Sequence, residues 1–233
     1  MVIDVTFDVR TDTPIGKDPD SESQTLRMFH KHLWSKPLPS GHQFDLQSGL
    51  KGTYLHHSSE LGEFRLSSDI MVNSYVSAKR LSHIISLGPR EYPSALEDLS
   101  HTVGNFIIFP QNRVGKMMTI NGARGCAHKI QDRFDLTLEC IRRHYCNEAS
   151  PLSDALERYA DFFRLFVSFE GYVDFFLLDD LVSNNGVSFF LPFDDFKTPA
   201  LPQDWEEYLR YAEKASDFIA SRNARVALTV DAD

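Results

Sequence analysis

Residues 106–145, FIIFPQNRVGKMMTINGARGCAHKIQDRFDLTLECIRRHY, decide how the rest of the chain is read. Phe106, Ile107, Ile108 and Phe109 form a short, continuously apolar run. That is the pattern of a buried strand, and Pro110 ends it. Met117 to Ile120 reads as a partner strand. Asn121–Gly122 and Arg124–Gly125 then bracket a turn. After the turn, Ala127, Ile130, Phe134, Leu138, Ile141 and Tyr145 fall at spacings of 3, 4, 4, 3 and 4. Those spacings lay one apolar stripe along a long helix. Arg142, Arg143 and His144 stand in its last turn, where cations favour the negative end of the helix dipole.

Upstream, residues 2–10 alternate apolar and polar and predict a strand. Residues 11–20, TDTPIGKDPD, are a loop. Ser21 or Ser23 can cap a helix reaching about Trp34, with Leu26, Phe29 and Leu33 on one face. From Gly52, GTYLHHSSELGEFRLSSD reads as two strands around a turn at residues 60–62. Helical spacing recurs at Leu81, Ile84 and Ile85, and at Leu96, Leu99 and Val103, with Gly88–Pro89 between the two. Downstream, Ser150–Pro151 starts a helix carrying Leu152, Leu156, Tyr159, Phe163 and Phe166. Residues 169–182 lean helical and residues 187–193 read as an edge strand. Pro202 opens a last helix through about Ala220, and residues 226–233 are expected to fray. Strands gather before about residue 120 and helices after it. The expectation is a single α+β domain over residues 1–233, its N-terminal strands packed by C-terminal helices.

The chain has 233 residues, 42% of them hydrophobic and 18 of them Phe, enough for a sizeable core. No apolar run is long enough to span a bilayer. The first ten residues lack the basic and apolar regions of a signal peptide. Three cysteines, Cys126, Cys140 and Cys146, are an odd number and suit a reducing compartment. A soluble cytoplasmic protein without a membrane partner is expected. Charge is uneven: residues 110–146 hold 7 basic and 3 acidic side chains, and residues 147–233 hold 7 and 17. An overall charge of −9 argues against a long nucleic-acid duplex as partner. A small anion at the central segment stays open. So does the plainer reading, in which that segment packs beside the acidic tail.

Several blocks resemble a known family: TDTPIGKDPD, LWSKPLPSG, LHHSSELGEF with LSSD, MTINGARG, DRFDLTLECIRRHY, and GYVDFFLLDDLV with FFLPFDDF. They are similar to an uncharacterised bacterial family carried only as a domain of unknown function, and they span roughly residues 7–200. The resemblance implies one cytoplasmic domain and carries no activity, cofactor or catalytic residue.

Five constellations could carry chemistry. The first joins Arg113 and Lys116 to Asn121, Arg124, Lys129 and Arg133 around a glycine-flanked helix start. Free backbone N–H groups there could hold a phosphate or carboxylate. The spacing is neither a P-loop nor a Rossmann triplet, and the glycines could equally just turn the chain. The second is a polar stripe, His128, Asp132, Asp135, Glu139 and Arg142, which is either an acid–base line or a solvated face. The third is His56–His57 with Glu60 and Glu63. Adjacent strand residues point to opposite faces, so no shared metal is expected. The fourth is the loop with Arg10, Asp12, Lys17, Asp18 and Asp20, running into Trp34 and Lys36. The fifth is the acidic set Asp174, Asp179, Asp180, Asp194 and Asp195. Cys140 and His144 sit four apart, with no third group to orient them as a nucleophile.

The reading that follows is a binder of an anionic ligand, a nucleotide or a phosphate-bearing end, with Arg113, Arg124, Lys129 and Arg133 as contacts. If it turns that ligand over, His57 or His128 is the general acid–base. No metal site is expected and no cofactor is indicated. The competing class is a non-enzymatic interaction module using the acidic, aromatic-rich C-terminal part.

Overall fold

The structure, a computed structural model, describes residues 2–79, 81–112, 115–184 and 186–231. The chain starts with a 3-10 turn at Val9–Asp12 and a short helix α1 (Pro19–Glu22), then helix α2 (Gln24–Trp34). Ser23 caps α2 by accepting from the Leu26 N–H at 3.1 Å. Leu26, Phe29 and Leu33 are buried as their spacing requires. A small pair, β1 (Lys36–Pro37) and β2 (Gln43–Phe44), leads to β3 (Leu55–Ser59) and β4 (Gly62–Ile70). Helices α3 (Ser82–Ile85) and α4 (Glu91–Ser100) precede the fully buried β5 (Phe106–Pro110). The central sheet is antiparallel in the order β3-β4-β5, with Leu55 opposite Leu66 and Leu66 opposite Pro110.

The second half is helical: α5 (Ile120–Cys126), α6 (Phe134–Tyr145), α7 (Ser153–Glu157), α8 (Ala160–Arg164) and α9 (Phe169–Phe175). A minimal hairpin, β6 (Val182–Ser183) and β7 (Gly186–Val187), separates these from the long α10 (Trp205–Asp231). The α+β expectation holds, with small sheets mostly in the N-terminal half and α10 packed against them. Among the described residues, no helix is long and apolar enough to cross a membrane.

Several expected elements differ. Residues 2–10 form no strand. Their apolar side chains pack instead, Ile3 and Val9 being buried and Phe7 meeting Phe29 edge-on. Met117 to Ile120 is not a strand either, because β4 already pairs with β5 and Ile120 begins α5. The long helix over residues 127–145 is cut at residues 127–133, where Gln131 and Asp132 take left-handed φ of 53° and 63°. The Tyr75 hydroxyl donates to the Gln131 carbonyl at 2.7 Å and holds that turn. Gly122 and Gly125 lie inside α5, not in a loop. Asn121 anchors α5 by donating to Ser67 Oγ and the Ser68 carbonyl, a tertiary tie that overrides weak helix propensity. Residues 150–166 make two short helices, not one. The run 187–193 is strand only at Val187, since the Phe190 N–H donates to the Asp135 carboxylate and not to a ladder. The last helix continues past Ala220 to Asp231, with Val226 buried.

Helix α10 closes the core through Arg222, which is fully buried and, among the described residues, forms no salt bridge. Its guanidinium donates to the carbonyls of Gly104 and Phe106, both at 2.9 Å, and to that of Phe176 at 3.0 Å. Asn223, the next residue, accepts from the Gly104 N–H at 2.7 Å. A Cβ at position 104 would collide with Asn223, so only glycine permits this approach. Replacing Arg222 by Met orphans carbonyls on two other segments and is expected to cost about 3 kcal/mol or more, read as a lower denaturant midpoint.

His30, fully buried on α2, meets the Tyr54 hydroxyl through Nδ1 at 3.1 Å. Burial first, and the Arg222 charge second, push its pKa down to about 3. The folded state therefore keeps His30 neutral, while the unfolded chain takes up a proton below about pH 6.5. Stability from this residue is complete above about pH 6.5 and is lost as pH falls toward about 3, by up to about 1.4 kcal/mol per unit. Urea midpoints measured from about pH 7 down to about pH 4 should fall, and His30→Gln should flatten that dependence.

Candidate functional site

Arg124 and Arg133 are buried and already paired. Arg124, on α5, forms an ion pair with Asp69 of β4, donates from Nε to Thr137 Oγ1 at 3.0 Å, and lies against the rings of Phe109 and Phe134. Arg133 forms an ion pair with Asp135 and donates to the Ala200 carbonyl at 2.9 Å. Asp135 stands in the first turn of α6, and its carboxylate is spent on Arg133 and the Phe190 N–H. Arg113 lies outside the described residues. Of the three that are described, Arg124 and Arg133 are buried and Lys129 is exposed, so these three do not gather at one helix tip.

His57 is buried in the sheet, with Nδ1 2.8 Å from the Asp45 carbonyl and Nε2 2.8 Å from Ser59 Oγ. Its ring packs against Phe44 and Phe64. Both nitrogens are engaged, so this histidine orders the core side of β3. The polar stripe is split by the turn at residues 127–133. Asp135 faces inward, and Glu139 is gripped by Arg142 and Arg143, each at 2.8 Å. Cys140 is buried, and desolvation pushes its thiol up to about 12, which leaves it a poor nucleophile. In the amino-terminal loop, Asp12 accepts from the Thr25 N–H at 2.8 Å and Arg10 holds Asp8 at 2.6 Å. Asp179 and Asp180 pair with Arg225. The aromatics of residues 189–205 stack on one another, Phe189 on Phe193 at 4.1 Å and Trp205 on Tyr208 at 5.6 Å. They are buried or half-buried and form no flat exposed patch.

What remains open is a cleft of about 650 Å³ beside the turn that interrupts the expected helix. One wall is the segment with His128, Lys129 and Gln131. The other is the proline-containing loop with Phe196, Lys197, Thr198 and Gln203. Pro199, Ala200 and Leu201 add apolar surface. His128 and Lys129 are exposed, and among the described residues neither makes a hydrogen bond or close ion pair. Lys197 reaches only Asp194, at 4.0 Å. Each wall carries a left-handed pair, Gln131–Asp132 and Asp195–Phe196, of which Gln131 and Phe196 line the cleft; φ is 48° and 57° at the second pair. Non-glycine residues in that region cost about 1–3 kcal/mol each and persist only where surrounding contacts impose them.

The cleft thus brings together His128 and Lys129 of the expected set. Lys197, Thr198 and Gln203 were missed. Their only signal in the sequence was a basic residue and two prolines in an otherwise acidic stretch. A cavity of this size with a few convergent polar groups falls within the usual range for small-molecule sites. Among the described residues, no group of three or more His, Cys, Asp or Glu could hold a metal ion.

The profile of a family described as "Family of unknown function (DUF6994)" matches residues 3–226. The chain belongs to this family. No curated protein and no solved structure matches it. The family match takes in both walls of the cleft and all three buried arginines.

The contrast between spent and open cations is testable. Arg124→Met strands Asp69 in the interior and is expected to cost about 3–5 kcal/mol. Lys129→Ala, at an exposed site, should change stability by less than about 0.5 kcal/mol. Paired thermal melts read both.

Proposed function

We propose that the cleft between residues 128–131 and 196–203 binds a small phosphate- or carboxylate-bearing ligand, with Lys129 and Lys197 as its charged contacts. The observation that supports this most is the position of His128 and Lys129, exposed and without a hydrogen bond or close ion pair among the described residues, across the cavity from the exposed Lys197, which meets Asp194 at 4.0 Å. A charge-assisted hydrogen bond is roughly twice as strong as a neutral one, so two lysines suffice to orient an anionic head group. Gln203, whose amide gives one hydrogen to the Leu201 carbonyl, keeps a second to donate, and Leu201 with Pro199 offers an apolar face to the rest of the ligand. A nucleotide meets all of these requirements: an anion, hydrogen-bonding edges and a flat apolar ring. If the bound molecule is turned over, His128 is the acid–base group, because its imidazole borders the cleft while that of His57 is locked in the core. Exposed thiols at Cys126 and Cys146 suit a reducing, cytoplasmic setting.

Thermal melts of the wild type with inorganic phosphate and a panel of nucleoside monophosphates test the reading. A saturable rise in melting temperature is expected. Lys129→Ala and Lys197→Ala should each weaken binding about five- to tenfold while leaving the unliganded melting temperature unchanged. No shift from any member of the panel would count against the proposal.

A further inference from the structure

A second cavity, of about 440 Å³, adjoins the first and shares Lys129 and Phe196 with it. It is also lined by Arg143, Ser150 and Asp195. Arg143 extends from the last turn of α6 over the Phe196 ring, 4.9 Å from its centre. Two partners hold it in place: Nε donates to Glu139 at 2.8 Å and Nη1 to the Ala149 carbonyl at 3.2 Å. The remaining arm reaches Asp195 at 2.7 Å. That last contact is unlike the others, because the Asp195 side chain is 57% exposed. We infer that Arg143 is a second anion subsite, closed by the Asp195 carboxylate, and that the ligand carries two separated anionic groups. This inference rests on the proposed reading of the first cavity.

Three observations support it. The Asp195 carboxylate sits where the cations of both cavities converge: Arg143, by hydrogen bond and charge, lowers its pKa most, and Lys197 and Lys129 add to that. The chain itself thus places an anion at the positive focus of the groove. Displacing that anion leaves Arg143 neutralised and oriented by Glu139, so the guanidinium is not left bare. Asp195 itself, with its side chain 57% exposed, can turn into solvent without leaving a buried charge. A nucleoside bisphosphate has the required form, with one phosphate between Lys129 and Lys197 and the other on Arg143.

Calorimetric titration with a nucleoside monophosphate and a nucleoside bisphosphate tests this on the wild type, Asp195→Asn and Lys197→Ala. In the wild type the bisphosphate should bind about tenfold tighter than the monophosphate. Asp195→Asn should widen that ratio by about a further tenfold, since the competing charge is gone. Lys197→Ala should weaken both ligands alike. Equal affinities for the two ligands in the wild type would overturn the second subsite while sparing the first. Asp195→Asn tightening both ligands by the same factor would show a general charge effect and overturn the inference too. Binding of neither ligand would remove the first cavity's reading and this one with it.

Discussion

A charged group buried without a counter-ion holds this fold together. Arg222 lies in the core and donates only to main-chain carbonyls. Burying an unpaired guanidinium is expensive unless its donors are satisfied, and here satisfying them requires three separated segments to meet. Gly104 and Phe106 bring the leading end of β5, Phe176 brings the end of α9, and Arg222 brings α10. Burial drops its pKa to about 9, which still leaves it charged near neutrality. One of these contacts also takes up the Phe106 carbonyl at the start of β5, the outer strand of the central sheet. One side chain therefore fixes the long helix, holds the start of β5 and sets the position of the α9 region.

Arg124 and Arg133 repeat the solution with acids added. Asp69 meets the first and Asp135 the second, and each guanidinium also takes a carbonyl from a distant segment. A planar fork of donors suits this kind of crosslink better than a single ammonium does. The basic centre of the sequence thus acts mainly as internal fastening. Among the described residues its positive charge reaches the surface at Lys116 and Lys129, and in part at Arg142 and Arg143.

Much of the architecture was legible from residue pattern alone. Ser23 before the spacing Leu26, Phe29, Leu33 gives α2, the turn at residues 60–62 gives the β3–β4 hairpin, and the run from Phe106 gives β5. These readings rest on local rules that the rest of the molecule does not oppose. Elsewhere tertiary contacts overrode the local rule. The apolar stripe from Ala127 to Tyr145 is real, since Ile130, Phe134, Leu138 and Ile141 are all buried. It is carried by a turn and a shorter helix because Tyr75 and Arg124 clamp the carbonyls of Gln131 and Asp132. Periodicity reports which side chains are buried, not whether the backbone between them stays helical. Arginine was misread for a related reason. In sequence a basic residue near glycines looks like an anion contact, and only coordinates reveal that Asp69 and Asp135 reach it first.

The same clamps place the cleft. Cutting the helix at residues 127–133 turns His128 and Lys129 outward on a short rigid bend, which continuous helix would have carried away around its axis. Arg133 then ties that bend to the Ala200 carbonyl, so the facing loop is held at a fixed distance by a bond that lies wholly in the interior. Both walls are therefore set by buried arginines, while His128 and Lys129 stay exposed at the opening. A site built this way has its geometry fixed before anything binds, which lowers the ordering cost of association. Arg124 and Arg133, which looked like ligand contacts in the sequence, act one layer behind the opening, as the supports of the surface the lysines present.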